Sequence, residues 1–289
     1  MLHFYFSARI EFHLTCCTTL LTVDVFILHL PLTSELGLST DSPVFRRGQA
    51  LLPVPLLSRW LGPSDKLLVC PHEHLKPPPG QGTVHVVSGR YTYKHYLQDE
   101  VDDKGWGCAY RSLQTLISWL MWQGEVEAKR IPTLTEIQTS LVRLGDKSKA
   151  FIGSHQWIGS VEVSFCLQEM YNIQCRLLPV SRGAELSRTA TTMLAHHFAS
   201  GGGPVMIGGG QLAHTIIGVQ VPKEPVLNSP NSKASTPRFL ILDPHFTGPS
   251  GDLKVVLAKG WCGWKDQSFW RQDTYYNLCF LPAIQPGCV

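Results

Sequence analysis

The sequence predicts an α+β fold in which helices come first along the chain and a sheet follows. Two observations predict it. From Cys108 onward, apolar residues recur at the spacing of a single helical face. Far downstream, the apolar run Phe239–Leu242 indicates a buried strand. Helical and strand patterns that are segregated in this way are typical of α+β domains, with a site in the cleft between the two parts.

The elements are predicted in chain order from the same patterns. The first helix runs from Cys108 to about Gln123, and a loop that contains Pro132 separates it from the second. The other predicted helices are Thr133–Leu144, Val161–Met170 and Leu186–Ala199, and the predicted strands are Pro204–Ile207, His214–Val221 and Arg238–Leu242.

Cys108 lies where the first helix is predicted to begin. Gly105 and Gly107 permit a sharp turn before it and leave backbone open on one side of the sulfur. Unpaired N–H groups and the positive dipole end of a first helical turn stabilise a thiolate. A cysteine at a helix start is more often structural than catalytic, so a catalytic interpretation also needs a base.

The candidate base lies in the sequence Asp243-Pro244-His245. Pro244 biases Asp243 toward extended backbone, in which residues i and i+2 project from the same face. Asp243 and His245 are therefore predicted side by side, with the second imidazole nitrogen facing Cys108. Asp-Pro often merely opens a turn. Together with the glycine-framed cysteine, however, the pair indicates a thiol hydrolase or acyltransferase with the chain order Cys, Asp, His.

Several segments resemble the cysteine proteases specific for ubiquitin-fold modifier 1. The resemblance implies a papain-like fold with helices packed on a central antiparallel sheet, Cys108 as nucleophile, His245 as general base and acid, and Asp243 as its orienter. It also implies that Tyr96 donates its phenolic hydrogen to the oxyanion, beside the backbone N–H of Cys108. By its residues alone, Tyr96 is an ordinary half-buried tyrosine. The matching segments are 96–99, 102–114, 153–159, 204–210, 212–216, 242–245 and 259–264.

The implied activity is hydrolysis after the C-terminal glycine of the modifier, in its precursor and in its conjugates with lysine. The modifier is the implied partner, and no cofactor or metal is expected. Two alternatives stay open: an autophagy-type cysteine protease, which shares a Trp-Gly-Cys block and an Asp-Pro-His box, and a protein that binds the modifier without cleaving it. Because no large folded domain fits before the core, the chain most resembles the short members of the family, protease 1.

Composition and charge favour a cytoplasmic enzyme. A net charge of +3, with no Lys/Arg stripe, argues against a nucleic-acid partner. Nine cysteines without paired C-x-x-C spacing fit reduced thiols. Residues 1–82 are predicted as a poorly structured extension and Pro-rich linker, 83–289 as the protease domain, and 222–237 as a flexible loop. The apolar stretch 14–30 contains Asp24, so a leader or membrane anchor is the less favoured interpretation.

Overall fold

The structure, a computed structural model, describes residues 67–76, 78, 82–126, 130–223 and 236–282. Its helices and strands lie within these ranges. The helices are α1 (Cys108–Trp122), α2 (Leu134–Leu144), α3 (Ser160–Tyr171), α4 (Leu186–Ala199) and α5 (Leu253–Ala258). The strands are β1 (Gly82–Val86), β2 (Arg176–Val180), β3 (Val205–Gly209), β4 (Leu212–Pro222), β5 (Arg238–Leu242), β6 (Cys262–Lys265) and β7 (Tyr276–Phe280).

One antiparallel sheet organises the molecule. Its strand order is β2-β7-β3-β4-β5-β6, and β1 pairs with the far half of β4. The long strand β4 aligns His214 with Ile207 of β3 and Thr215 with Leu242 of β5. Since β5 ends at Leu242, the next residue of the chain, Asp243, emerges beside His214.

Helix α1 lies at the centre of the core, and all of its residues are buried. It contacts β3 and β4, and its first residue, Cys108, adjoins His245, three residues beyond the end of β5. Fully burying an apolar side chain such as Leu113 or Leu116 contributes roughly 1.5–3 kcal/mol. Most polar side chains of α1 are hydrogen-bonded within the core, as when Gln114 Nε2 donates to the carbonyl of Pro132 at 2.8 Å. The Ser112 hydroxyl is an exception, with no partner among the described residues. The helix is therefore held firmly on every side.

The predicted α+β architecture is confirmed, and the predicted helices and strands lie within a few residues of the observed ones. Strands β1, β2, β6 and β7 and helix α5 were not predicted. Pro179 lies inside β2, and a proline normally argues against a strand. It is tolerated here because β2 is at the edge of the sheet.

Residues 67–76 belong to the segment predicted as a poorly structured extension, but the structure attaches them to the core. The N–H of Tyr93 donates to the carbonyl of Leu68 at 2.8 Å, and the N–H of Cys70 to that of Tyr91 at 3.1 Å. The buried side chain of Cys70 anchors this segment. Gly82, the last residue of the predicted extension, begins β1. Apart from residue 78, the rest of that extension lies outside the described residues, as do residues 224–235 of the predicted loop, so those predictions stay open. Across the described ranges, no helix is both long and apolar enough to span a membrane.

Candidate active site

Cys108 is the first residue of α1, and two glycines shape the turn before it. Gly105 has a φ of +87°, a left-handed conformation that favours glycine. At Gly107, an added Cβ would lie 2.2 Å from Oδ2 of Asp103, so a side chain cannot fit. Within the described part of the chain, the backbone N–H of Cys108 has no protein acceptor. The thiol is only 6% exposed and lies beside a free N–H.

Asp243 holds His245 through a tight turn. Oδ1 of Asp243 accepts a hydrogen bond from the backbone N–H of His245 at 3.0 Å and lies 2.6 Å from Nδ1 of its ring. The predicted pairing of these residues is therefore present, but a turn closed by the aspartate side chain produces it rather than extended backbone. Nε2 of His245 is buried and has no hydrogen-bond partner among the described residues.

The pKa values of His245 and Asp243 indicate an imidazolium paired with a carboxylate. Burial disfavours the charged form of His245, but its hydrogen bond with Asp243 and the adjacent Cys108 sulfur raise its pKa to about 9. Burial likewise acts to raise the pKa of Asp243, yet the hydrogen bond from His245 holds that pKa below its usual value. The ring of His245 therefore carries a proton at neutral pH and can donate it.

Tyr96 faces both the thiol and the imidazole. Its ring meets that of His245 edge-on, with centroids 5.2 Å apart and an interplanar angle of 88°. Its backbone N–H donates to the carbonyl of Pro244 at 2.9 Å, so the two segments are joined. Burial and the neighbouring Cys108 raise the pKa of the Tyr96 phenol above its ordinary value. The phenol therefore keeps its proton and is available as a hydrogen-bond donor.

A buried ion pair fixes the loop that carries Tyr96. Nε of Arg111, which has no exposed surface, donates to Oδ2 of Asp103 at 2.7 Å. Oδ1 of Asp103 accepts the N–H of Leu97, the residue after Tyr96, at 2.8 Å. Removing one partner of a buried ion pair costs about 3–5 kcal/mol. Because Arg111 is one turn from Cys108 on α1, the Asp103 carboxylate holds the phenol in a set position relative to the sulfur.

Sequence reasoning did not identify Asp103 and Arg111. By its spacing, Arg111 lies opposite the apolar face of the first helix, where a charged side chain is expected to face solvent. Its burial therefore had no signal in the helical pattern, and no pattern pointed to Asp103 as its partner.

His214 lies behind Asp243. Its Nε2 is 3.8 Å from Oδ2 of Asp243, and its ring centroid is 5.2 Å from that of His245. Burial lowers the pKa of His214 to about 4, so it stays neutral and supports the carboxylate without adding a charge. Ligand atoms of His214, Asp243 and His245 all lie within 4.8 Å of one another. A transition metal bound there would compete with the hydrogen bond between Asp243 and His245.

A cavity of about 280 Å³ runs beside Cys108. Trp157 and the start of α3 border it on one side, and the hairpin between β3 and β4 borders it on the other. Trp157 is 51% exposed and donates from its indole nitrogen to the carbonyl of Gly105 at 3.0 Å. At Gly209, an added Cβ would meet the carbonyl of Tyr275 at 2.3 Å. The glycine keeps the strands close together at the wall of the cavity.

The β3–β4 hairpin turns through two residues, Gly210 and Gln211. Their φ angles are +56° and +74°, the positive pair that a type I′ turn requires. Gln211 adopts this conformation although it has a side chain. The tip of the hairpin is therefore short and defined in position.

A thiol on a central helix, an Asp–His pair at the end of a sheet strand and a phenol facing both define the fold and site of a papain-like cysteine peptidase. The profile of the family described as Peptidase family C78 matches residues 82–279. This chain belongs to peptidase family C78.

Several relatives are similar over most of this chain. Ufm1-specific protease 2 of Gallus gallus is 53% identical over 216 residues, 74% of this chain and 44% of that protein. The Homo sapiens protein of the same name is 52% identical over 210 residues, 72% of this chain and 42% of that protein. The crystal structure of UfSP from C. elegans matches with a TM-score of 0.68 and 37% identity, covering 90% of this chain and 45% of that chain. The chain thus spans less than half the length of these relatives.

Proposed function

We propose that this chain is a thiol protease that cleaves after the C-terminal glycine of ubiquitin-fold modifier 1. It would both mature the precursor and release the modifier from lysines. The observation that carries the proposal is that the side chains of Cys108, His245, Asp243 and Tyr96 adjoin one another. The names of the relatives, Ufm1-specific proteases, support the choice of substrate.

Each of the four groups has a role in the proposed reaction. The Cys108 thiolate attacks the carbonyl carbon of the glycine, and the resulting oxyanion accepts hydrogen bonds from the Cys108 N–H and the Tyr96 phenol. His245 transfers its proton to the leaving amine as the C–N bond breaks, which leaves a thioester on Cys108. The neutral imidazole then takes a proton from water, the hydroxide attacks the thioester, and the glycine carboxylate leaves as the thiolate is restored. Asp243 holds the ring throughout.

The cavity beside Cys108 suits the extended tail that carries the glycine. Gly208 and Gly209 form part of its wall, so the tail would lie against a surface without side chains. Oδ1 of Asn277, a buried acceptor without a partner among the described residues, also belongs to a residue that lines the cavity. An N–H group of the substrate tail would satisfy it.

A panel of precursors tests the proposed specificity. Purified protein would be mixed with precursors of ubiquitin-fold modifier 1, of ubiquitin and of an autophagy-type modifier, and kcat/KM would be measured for each. We expect the first to be cleaved at least roughly a hundredfold more efficiently, the scale on which binding contacts discriminate substrates. Preferential cleavage of the autophagy-type precursor would favour that protease class, and tight binding without cleavage would favour a binding protein.

Replacing Tyr96 with phenylalanine tests the oxyanion donor. We expect kcat to fall by about a hundred- to a thousandfold, because one preorganised donor is lost, while KM changes little. The matched control is Tyr171→Phe on α3, which removes a hydroxyl outside the cleft. Reaction of Cys108 with an alkylating reagent should continue in Tyr96→Phe. A kcat near that of the wild type would remove the phenol from the mechanism.

The sequence of this chain also bears on which paralog of the family it is. Sequence reasoning favoured the short paralog, protease 1, but Ufm1-specific protease 2 of Gallus gallus, Homo sapiens and Mus musculus is 53%, 52% and 50% identical to this chain. We therefore propose that the peptidase region of this chain is of the protease 2 type.

We also propose a cytoplasmic location, since the reaction requires Cys108 as a free thiol and a reducing compartment maintains it. The proposal includes no nucleic-acid or membrane partner.

A further inference from the structure

A second cavity, of about 320 Å³, adjoins the catalytic pair. Gly209 and Leu212 line this cavity as well as the one beside Cys108, so the hairpin tip lies between the two. Cys108 lines only the first cavity, whereas His245 lines only the second. The two cavities therefore meet at the catalytic pair, one on the side of Cys108 and the other on the side of His245.

Two residues that line the second cavity, Trp270 and Arg271, carry hydrogen-bond donors without a partner among the described residues. Trp270 is 2% exposed, and its indole N–H has no partner among the described residues. The side chain of Arg271 lies along the hairpin tip, with Cδ 3.5 Å from the position of a Cβ on Gly210. In the described part of the chain, no carboxylate lies within ion-pair distance of Arg271. The buried indole N–H of Trp270 thus lacks an acceptor, and the exposed guanidinium of Arg271 is available to a ligand.

The cavity also contains one negative charge, that of Asp243. His245 balances this charge at 2.6 Å, and His214 lies 3.8 Å from its other oxygen. The remaining lining is largely apolar, from Phe269 and Leu212 among others. Among the lining residues, the guanidinium of Arg271 is therefore the charged group without an opposite charge beside it, and it favours an anionic ligand.

The chemistry assigns the two cavities to opposite ends of the scissile bond. The acyl carbon must lie at the sulfur of Cys108, and the leaving nitrogen must lie at Nε2 of His245 to receive its proton. We propose that the second cavity is the leaving-side subsite, where Arg271 and the Trp270 N–H bind a carboxylate that follows the cleaved bond by one or two residues. This inference rests on the proposed function, because it assumes cleavage after the modifier glycine.

Three precursor tails test the subsite. Each extends the glycine by two residues: Ala-Ala with a free carboxylate, Ala-Ala amide, and Ala-Asp amide. For the wild type we expect kcat/KM for the carboxylate-bearing tails to exceed that of Ala-Ala amide by roughly tenfold, the effect of one charge-assisted hydrogen bond. The Ala-Asp amide tail separates a side-chain carboxylate from a free chain end. Higher ionic strength should reduce the preference.

Two variants connect the preference to this cavity. In Arg271→Gln, the tails should become equal within about twofold, and Trp270→Phe should reduce the preference in part. The matched control is Arg176→Gln, an exposed arginine on β2 that lines neither cavity and should keep the preference. Equal cleavage of all tails by the wild type, or an unchanged preference in Arg271→Gln, would overturn the inference. Absence of cleavage of any tail would instead reject the proposed function.

Discussion

Replacing Cys108 with serine is expected to lower the rate of precursor cleavage by about a millionfold, the loss seen when the nucleophile of such a site is removed. A serine hydroxyl does not ionise beside an imidazolium as a thiol does, so the attacking anion is lost. The cavity beside position 108 keeps its lining, and binding of the modifier should therefore survive. Tail release followed by mass spectrometry measures the first effect, and calorimetry measures the second.

Cys166→Ser is the matched control for this variant. Cys166 is a buried free cysteine on α3, and burial raises the pKa of its thiol to about 12, so it stays protonated. Its replacement should leave the cleavage rate within about threefold of the wild type, with at most a modest loss of stability. Cleavage by Cys108→Ser at a rate close to that of the control would contradict the assignment of the nucleophile.

Replacing Asp243 with asparagine is expected to lower kcat by roughly ten-thousandfold, as the loss of an orienting carboxylate does in comparable triads. The amide cannot hold the Nδ1–H of His245 as a charged acceptor, so the ring loses its tautomer and orientation. The pKa of His245, about 9 in the intact pair, should also fall, because its hydrogen bond to the carboxylate raises it. An NMR titration of the ring in both proteins measures the direction of that change.

Asp252→Asn provides the comparison for this variant. Asp252 accepts the N–H of Val255 at the start of α5, which is a structural role. Its replacement should cost at most about 1 kcal/mol of stability and leave kcat unchanged. If Asp243→Asn lowered the melting temperature without lowering kcat, the role of the Asp243 carboxylate would be structural, like that of Asp252, and not catalytic.

Local patterns explain how much of the fold and site could be predicted. The periodicity of α1 and the apolar run of β5 are strong signals, and they placed Cys108 and the Asp243–His245 pair at the ends of the correct elements. Strand β2 was hidden by Pro179, because its place at the sheet edge is not visible in its sequence. Strand β6 is only four residues long, too short for a periodic signal.

The position of Tyr96 depends on contacts that sequence spacing does not reveal. Its N–H binds Pro244, almost 150 residues away along the chain, and its loop is held by the Asp103–Arg111 pair. No periodic pattern connects these residues, so only the family resemblance suggested a role for the phenol. In the same way, the donors of the second cavity come from a segment in which no site was predicted.

The two-residue hairpin between β3 and β4 has a consequence for inhibitors of this protein. Because Gly210 and Gln211 form the whole turn, the hairpin tip between the two cavities can change its conformation only slightly. A compound that reached from the sulfur of Cys108 to the guanidinium of Arg271 would have to pass over a fixed ridge. Its linker could then be designed with a single length and bend, and small changes in either should alter potency sharply.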